Sequence, residues 1–228
     1  MSVLIVVAHP DDEVLGCGGL AAKLALAGET VTSCILSGTV EARQHRPELE
    51  RLHANAREAQ TILGLSEPIL GPFPNIAFNT VPHLELVQFI ERVLRQFSAT
   101  RIYTHHPGDL NNDHRHASLA CQAAARLFQR DVSVPPLERL AYMEVLSSTD
   151  WAFPGAGPSF TPTCYVELGE ELLTRKLRAL AAYEGIMRPF PHPRSEEILR
   201  GLAAYRGGQA GMRYAEAFQV VFERYPDR

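Results

Sequence analysis

The sequence has few cysteines, no long hydrophobic run and no block of basic residues. Its four cysteines are scattered and none has the C-x-x-C spacing of a zinc ribbon or redox pair, so we expect reduced, packed thiols. The first apolar run, residues 3–8, is too short for a signal-peptide core or a membrane span. The formal net charge of -4 argues against a nucleic-acid partner. We therefore expect a cytoplasmic protein with neither nucleic acid nor membrane as its partner.

The composition is that of an ordinary globular protein. Of the 228 residues, 46% are hydrophobic and 21% are charged, which excludes the disordered and fibrous classes. We find no internal repeat, no low-complexity tract and no linker-like break in the chain. These features predict a single domain spanning residues 1–228.

The hydrophobic pattern alternates between strands and helices along the chain. Residues 3–7 form a continuous apolar run, typical of a strand buried on both sides of a parallel sheet. The predicted strands are 3–7, 30–36, 68–70, 101–104, 137–145, 164–168 and 217–222. The predicted helices are 16–27, 46–63, 84–97, 113–130, 170–183 and 195–205. This alternation predicts a Rossmann-like α/β fold, a doubly wound and mostly parallel sheet with helices on both faces.

Two polar segments follow the first and fourth predicted strands. The segment HPDDE covers residues 9–13, and HHPGDLNNDHRH covers residues 105–116. In a sheet of order 3-2-1-4-5 these strands are neighbours, and ligands bind at the carboxyl ends of the strands where the order reverses. The topology therefore predicts that the two segments face each other.

The residue types in these segments are those of a metal site. Imidazole and carboxylate groups bind zinc, and a catalytic zinc site uses three protein ligands with a fourth position for water. His9 and Asp12 are spaced to hold one ion from a single loop, and His114 is the expected third ligand. Asp11 would then lie beside the water, where a carboxylate is needed to accept a proton.

Two longer motifs resemble those of a known enzyme family. AHPDDEVLGCGG at 8–19 and HPGDLNNDHRHA at 106–117 resemble the LmbE-like, or PIG-L, zinc-dependent N-deacetylases. The tail containing HPRSEE and YRGGQAGMRYAEAF is also similar, so the resemblance spans nearly the whole chain. It implies hydrolysis of the acetyl group of an N-acetylated sugar or related amine. It also implies a zinc cofactor, with Fe²⁺ or Co²⁺ as alternatives, a homo-oligomer, and a part at 146–228 that completes the substrate site.

The resemblance also implies roles for individual residues. Carried over to this sequence, it makes His9, Asp12 and His114 the zinc ligands and Asp11 the general base. Arg57, in the segment NAREAQTILGL, matches an arginine that family members use near the substrate.

The chain departs from the family pattern at one position. Asn111 stands where many members carry a histidine that stabilises the oxyanion, within a longer motif that begins at His106. We expect His192, in the segment FPHPRS, to stabilise the oxyanion or protonate the leaving amine, with His106 as the second candidate. Asn111 and His106 are also expected to contact the substrate.

Several further side chains have a predicted role around these motifs. Asp109 and Asp113 are expected to orient the ligand histidines or to cap the fourth helix, whereas His105 and His116 are expected to be structural or to support the ligands without binding the metal. Four arginines could contact an anionic substrate such as a sugar phosphate: Arg43, Arg57, Arg188 and Arg194.

Three other functions are compatible with parts of the sequence. Residues 16–21 fit G-x-G-x-x-A and Glu41 has the spacing of a ribose-binding acid, as in a nucleotide-dependent oxidoreductase. However, three acids occupy the approach where the pyrophosphate would bind. A non-catalytic metal-binding or sugar-binding module is the second alternative. The third, phosphoester hydrolysis at two metals, requires more converging carboxylates than the sequence supplies.

Overall fold

The strand β1 (Ser2–Val7) lies at the centre of the sheet. The computed structural model describes residues 2–39, 48–155 and 157–225. Alternate residues of β1 enter the two hydrophobic cores on opposite faces of the sheet, Val3 on one face and Leu4 on the other. The continuous apolar run is therefore explained by burial on both sides.

Six further strands and six helices complete the described part of the chain. The strands are β2 (Thr30–Ile35), β3 (Ile69–Leu70), β4 (Arg101–His105), β5 (Arg139–Met143), β6 (Cys164–Glu167) and β7 (Ala215–Glu223). The helices are α1 (Asp12–Leu26), α2 (Leu49–Leu63), α3 (His83–Phe97), α4 (Asn112–Ala124), α5 (Gly169–Ala182) and α6 (Glu196–Gln209). Within the described ranges, no helix is both long and apolar enough to cross a bilayer.

The strand order is β3-β2-β1-β4-β5-β7-β6. The first five strands pair in parallel, and β7 runs antiparallel between β5 and β6. Helices α1, α2, α5 and α6 pack on one face, and α3 and α4 on the other. The predicted α/β doubly wound fold and its 3-2-1-4-5 order are confirmed, and the order reverses beside β1 and β4.

Some predicted boundaries were wrong at the helix ends. Helix α1 begins at Asp12, not at residue 16, because the acids of HPDDE form its first turn. Helix α4 ends at Ala124 and a short 3₁₀ turn, Leu127–Gln129, follows, so the alanine-rich stretch is not one helix to residue 130. Residues 46 and 47, predicted to begin the second helix, lie outside the described residues, and α2 starts at Leu49.

Helix α1 is broken at Cys17, whose φ of -149° is not helical. The break leaves N–H groups without partners in the helix, and Glu216 on β7 accepts from two of them, Gly19 at 2.8 Å and Leu20 at 2.7 Å. Lys176 on α5 pairs with the same carboxylate at 2.7 Å. The C-terminal part of the chain therefore holds the first helix in its bent form.

A glycine next to the break, Gly16, allows close packing. A Cβ atom at Gly16 would lie 2.3 Å from Sδ of Met143, so α1 approaches β5 more closely than an alanine allows. Gly16 lies inside α1 and not in the turn after β1, where a dinucleotide fingerprint needs its first glycine. Glu41, the acid predicted for that alternative, lies outside the described residues. The placement of Gly16 does not favour a nucleotide-binding function.

Candidate active site

The two polar segments meet at the carboxyl ends of β1 and β4, which are parallel neighbours. His9 follows β1, Asp12 opens α1, and His114 lies in the first turn of α4. All three side chains are buried, and one donor atom of each lies within 4.8 Å of the others. The fold therefore brings the three predicted metal ligands together.

Asp12 is the centre of this cluster. Its Oδ2 atom lies 3.3 Å from Nδ1 of His9 and 3.2 Å from Nε2 of His114, and it accepts the backbone N–H of His9 at 3.0 Å. Burial opposes ionisation of this carboxyl group, but the neighbouring imidazoles of His114 and His105 outweigh burial. The pKa of Asp12 is consequently well below its ordinary value.

Each candidate ligand histidine is held from behind by a second carboxylate. Nε2 of His9 lies 3.0 Å from Asp113, and Nδ1 of His114 lies 2.9 Å from Asp109. These bonds confirm that the two aspartates orient the histidines, and they direct the opposite ring nitrogens toward Asp12. Burial lowers the pKa of His114, but Asp12 and Asp109 outweigh it and raise that pKa to about 10.

The donor set is suited to a divalent metal. Nδ1 of His9, Oδ2 of Asp12 and Nε2 of His114 form a group of two imidazole nitrogens and one carboxylate oxygen. Zn²⁺, Fe²⁺ and Co²⁺ accept such ligands, and three protein ligands leave coordination positions for water or substrate. An ion would also neutralise the carboxylates packed in this segment.

A second group of potential donors, His105, Asp109 and His114, is less suited. Nε2 of His105 accepts the backbone N–H of Ala8 at 2.9 Å, so the neutral ring carries its proton on Nδ1. Both oxygens of Asp109 are also engaged, one by His114 and the other by Thr149 at 2.7 Å. His105 is thus a structural residue, as predicted, and burial lowers its pKa well below the ordinary value.

Asp11, the predicted base, is buried beside the donor group but is not a member of it. Its φ of 99° lies in the left-handed region, which a residue other than glycine rarely adopts. Its Oδ2 atom forms an ion pair with Nη1 of Arg194 at 3.0 Å. Its backbone N–H donates to Glu13 at 3.1 Å, which holds the strained residue in place.

Glu13 belongs to a buried polar network that sequence reasoning missed. The hydroxyl of Tyr183 donates to its Oε1 atom at 2.5 Å, and the amide of Gln60 donates to the same atom at 3.0 Å. Burial raises the pKa of Glu13 to about 8, although the bond from Tyr183 acts in the opposite direction. The signal in the sequence was the third consecutive acid in HPDDE, but its partners lie 47 and 170 residues away.

Arg194 was predicted to contact an anionic substrate, but it contacts the predicted base instead. Besides its ion pair with Asp11, Nε of Arg194 donates to Oγ of Ser147 at 3.1 Å. The Asp11 carboxylate is the main reason that the pKa of Arg194 is raised. No spacing rule indicates a contact across 183 residues, so the pair could be found only from the fold.

His192 lies next to Arg194, in the loop before α6. Its Nδ1 atom accepts the backbone N–H of Arg194 at 3.0 Å, so the neutral ring carries its proton on Nε2. Burial lowers the pKa of His192, and the charges of Arg194 and Arg188 add to that effect. Among the described residues, no hydrogen bond or ion pair joins His192 to the donor group. Within the described residues, His192 bonds to Arg194, which in turn pairs with Asp11.

The other two candidate substrate residues have structural contacts. Asn111 is the N-cap of α4, and its carboxamide oxygen accepts the backbone N–H of Asp113 at 2.9 Å. His106 is buried against Tyr142 and Phe160, and it lines a cavity of about 230 Å³. The fold therefore does not bring His106 into the donor group.

The remaining candidate side chains lie further from the donor group. Arg57 and Arg188 are exposed, and within the described ranges neither forms an ion pair with the residues around Asp12. His116 is half-buried on α4. Arg43 lies outside the described residues.

Three similar proteins cover most of this chain. The uncharacterized deacetylase YaiS of Escherichia coli is 28% identical over 194 residues, which are 80% of this chain and 90% of that protein. The diacetylchitobiose deacetylase of Thermococcus kodakarensis is 27% identical over 231 residues, 96% of this chain and 82% of that protein. The crystal structure of the conserved protein TT1542 from Thermus thermophilus has a TM-score of 0.77 at 26% identity, with 99% of this chain and 96% of that chain covered.

The sequence profile of one protein family matches the part of the chain that contains the site. The profile described as PIG-L, GlcNAc-PI de-N-acetylase, matches residues 4–125. This range is more than half of the chain and contains Asp11 together with all three donors of the candidate metal site. The chain belongs to the PIG-L family of de-N-acetylases.

Proposed function

We propose that this protein is a zinc-dependent hydrolase that removes the acetyl group from an N-acetylated sugar or a related amine. The observation that carries the proposal is the arrangement of four side chains. A buried group of three donors, suited to one divalent ion, lies beside a carboxylate, Asp11, that takes no part in the group. Family membership and the diacetylchitobiose deacetylase similarity support an acetylated sugar as the substrate class.

His9, Asp12 and His114 would hold the ion. A bound divalent ion supplies Lewis acidity, which lowers the pKa of a water ligand toward neutrality and polarises the acetyl carbonyl. Once the rings are neutral, their bonds to Asp113 and Asp109 would keep the two imidazoles in the tautomers that direct a lone pair toward the ion. The protein therefore supplies an ordered site that needs little rearrangement on metal binding.

In this proposal Asp11 acts as the general base. It would accept a proton from the attacking water as the oxygen bonds to the acetyl carbon. The guanidinium of Arg194 pairs with this carboxylate at 3.0 Å, and Glu13 accepts the backbone N–H of Asp11. The proton taken up by Asp11 is then available to the leaving nitrogen when the C–N bond breaks.

The residue that stabilises the oxyanion is proposed to be His192. Its neutral tautomer has an Nε2–H group available as a hydrogen-bond donor, which is what the oxygen of a tetrahedral adduct requires. Asn111 is the second donor proposed near the acetyl group, through the amide nitrogen that its capping bond does not use. Arg57 is proposed to contact the substrate from the exposed face of α2.

The C-terminal part, residues 146–228, is proposed to complete the substrate site. Three side chains of this part form the relevant contacts. Arg194 pairs with Asp11 and also donates to Ser147, and Tyr183 donates to Glu13. A chain truncated before residue 146 would therefore lack the groups that fix the base.

Acetate release provides the test of this function. Purified protein loaded with zinc should release acetate from N-acetylglucosamine or N,N′-diacetylchitobiose, and the release should stop when a chelator removes the metal. Restored activity on adding zinc back would exclude denaturation by the chelator. A protein that binds zinc and sugar but releases no acetate from any acetylated amine would instead be the non-catalytic module.

A further inference from the structure

A row of three buried polar side chains, Ser33, Gln60 and Glu13, leads from the sheet to the backbone of Asp11. Oγ of Ser33 on β2 donates to Oε1 of Gln60 on α2 at 2.9 Å, and Nε2 of Gln60 donates to Oε1 of Glu13 at 3.0 Å. The other carboxylate oxygen of Glu13 accepts the backbone N–H of Asp11 at 3.1 Å. Each residue of this polar row is at most 1% exposed, so water does not compete for these bonds.

Tyr183, the residue that follows α5, joins the polar row at Glu13. Its hydroxyl donates at 2.5 Å to Oε1, the oxygen that also accepts from Gln60. The backbone N–H of Asp11 also interacts with the hydroxyl oxygen of Tyr183. Tyr183 is 2% exposed and belongs to the hydrophobic core on the α1 and α5 face of the sheet. Core packing of the ring therefore fixes the position of the hydroxyl group.

The backbone of Asp11 needs such support. A residue other than glycine with a φ of 99° is strained, and this conformation persists only where the surrounding structure fixes it. Arg194 binds the carboxylate of Asp11, whereas Glu13 binds its backbone N–H. The two contacts together hold both ends of the residue. Neither Glu13 nor Tyr183 belongs to the donor group, so the proposed mechanism leaves these two buried side chains without another role.

We propose that Tyr183 is a positioning residue, which acts through Glu13 to hold the proposed base, Asp11, in its strained conformation. Gln60 supports the same carboxylate from the polar row. The proposal rests on the proposed deacetylase function. A displacement of about 1 Å at a catalytic group can lower the rate roughly 100-fold, so loss of the Tyr183 hydroxyl should reduce kcat. It should leave KM unchanged, because Tyr183 acts on the base and not on the bound substrate.

The variant Tyr183→Phe removes the hydroxyl group and keeps the ring. We expect its kcat for acetate release to fall about tenfold to 100-fold, with KM and the zinc content within about twofold of wild type. The matched control is Tyr103→Phe. Tyr103 on β4 is 3% exposed, belongs to the same hydrophobic core and bonds through its hydroxyl to Arg139. The control also removes a buried, bonded hydroxyl, so both variants should lower the melting temperature, but only Tyr183→Phe should lose kcat.

Amide hydrogen exchange, followed by NMR on the metal-free protein, measures the anchoring of Asp11 without any activity. The backbone N–H of Asp11 should exchange slowly in the wild-type protein, because it is buried and bonded to Glu13. In Tyr183→Phe its protection factor should fall about tenfold, while that of Val6 in the centre of the sheet stays the same. Gln60→Met removes the other side-chain donor to Oε1 of Glu13 and should change both kcat and the Asp11 exchange in the same direction.

The outcomes distinguish the positioning role from the deacetylase function. Unchanged kcat in Tyr183→Phe, or a lower kcat with unchanged exchange at Asp11, would overturn the positioning role and leave the function intact. An equal loss of kcat in Tyr103→Phe would overturn it too, because the effect would then follow from a general loss of stability. Faster exchange at Asp11 in Tyr183→Phe alone, with no acetate released by the wild-type protein, would support the anchoring of Asp11 and overturn the deacetylase function.

Discussion

At the scale of single residues, the proposed chemistry depends on the separation of Asp11 from Asp12. Both are buried acids, one residue apart, yet they have different partners: Asp12 faces the imidazoles and Asp11 faces a guanidinium. Asp11 also has a positive φ of 99°, so its backbone conformation differs from that of the helical Asp12. In the proposed mechanism the two acids accordingly have different roles, Asp12 as a metal ligand and Asp11 as the base.

The substitution Asp11→Asn tests this separation. It keeps the shape of the side chain but removes the proton acceptor, so kcat should fall about 10²-fold to 10⁴-fold, the usual contribution of a general base. The zinc affinity should stay within about threefold, as measured by competition with a fluorescent chelator. The matched control Asp131→Asn removes a carboxylate in a surface ion pair with Arg95 and should leave kcat unchanged. Unaltered turnover in Asp11→Asn would refute its role as base.

Zinc binding should release protons at neutral pH. The pKa of His114 is about 10 in the metal-free protein, so its imidazole is protonated at pH 7, whereas a metal ligand must be neutral. Because protons compete with the metal, the apparent zinc affinity should rise as the pH is raised from 7 toward 10. Calorimetric titrations in buffers of different ionisation enthalpy measure the number of protons released.

The variant Asp109→Asn provides the comparison for this titration. Asp109 is one of the two carboxylates that raise the pKa of His114, so its loss should lower that pKa and reduce the proton release. Equal heats in all buffers for the wild-type protein would contradict the protonated state of His114.

At the scale of elements, the break in α1 is the feature that joins the two ends of the chain. Glu216 on β7 accepts the backbone N–H groups of Gly19 and Leu20 and pairs with Lys176 on α5. The carboxylate of Glu216 is buried, and it is stabilised there by the two N–H groups and the ammonium group that bond to it. The last strand thereby braces the part of α1 that follows the break, and Lys176, which also donates to the carbonyl of Leu15, connects it to the part before the break.

The substitution Glu216→Ala should destabilise the fold. It leaves a buried ammonium group on Lys176 and two buried N–H groups without an acceptor, so the free energy of unfolding should fall by about 3–5 kcal/mol. The control is Glu223→Ala, which removes another carboxylate of β7. Its ion pair with Arg139 on β5 is more exposed, so the free energy of unfolding should fall by about 1 kcal/mol or less. Urea denaturation measures both, and similar losses for the two variants would contradict the bracing role.

The sequence predicted local and periodic features better than long-range contacts. The order of strands, the approach of His9 to His114 and the roles of Asp109 and Asp113 follow from periodicity, parallel topology and residue chemistry. The partners of Glu13 and Asp11 could not be predicted. These partners, Tyr183 and Arg194, lie more than 150 residues further along the chain, and no sequence rule relates their positions to the HPDDE segment. The break in α1 was missed because a run of small residues also fits a regular helix.

At the scale of the whole molecule, the parallel sheet places the segments that follow β1 and β4 next to each other at the carboxyl ends of its strands. The C-terminal part of the chain contributes further contacts to the first of these segments. Strands β6 and β7 extend the sheet beyond β5, and Arg194 from the C-terminal part forms an ion pair with Asp11, the proposed base. This arrangement explains why the proposed site draws residues from the first and last parts of the sequence. The cytoplasmic location and the homo-oligomer stay predictions from the sequence.

Metal analysis after dialysis against zinc measures whether one divalent ion is held by His9, Asp12 and His114. We expect one zinc ion per wild-type chain, and less than a tenth of that in His114→Ala or Asp12→Ala, with the folded state checked by circular dichroism. The control His116→Ala should bind zinc like the wild-type protein. A wild-type chain without zinc, or folded variants that still bind one equivalent, would show that these three side chains do not form the metal site.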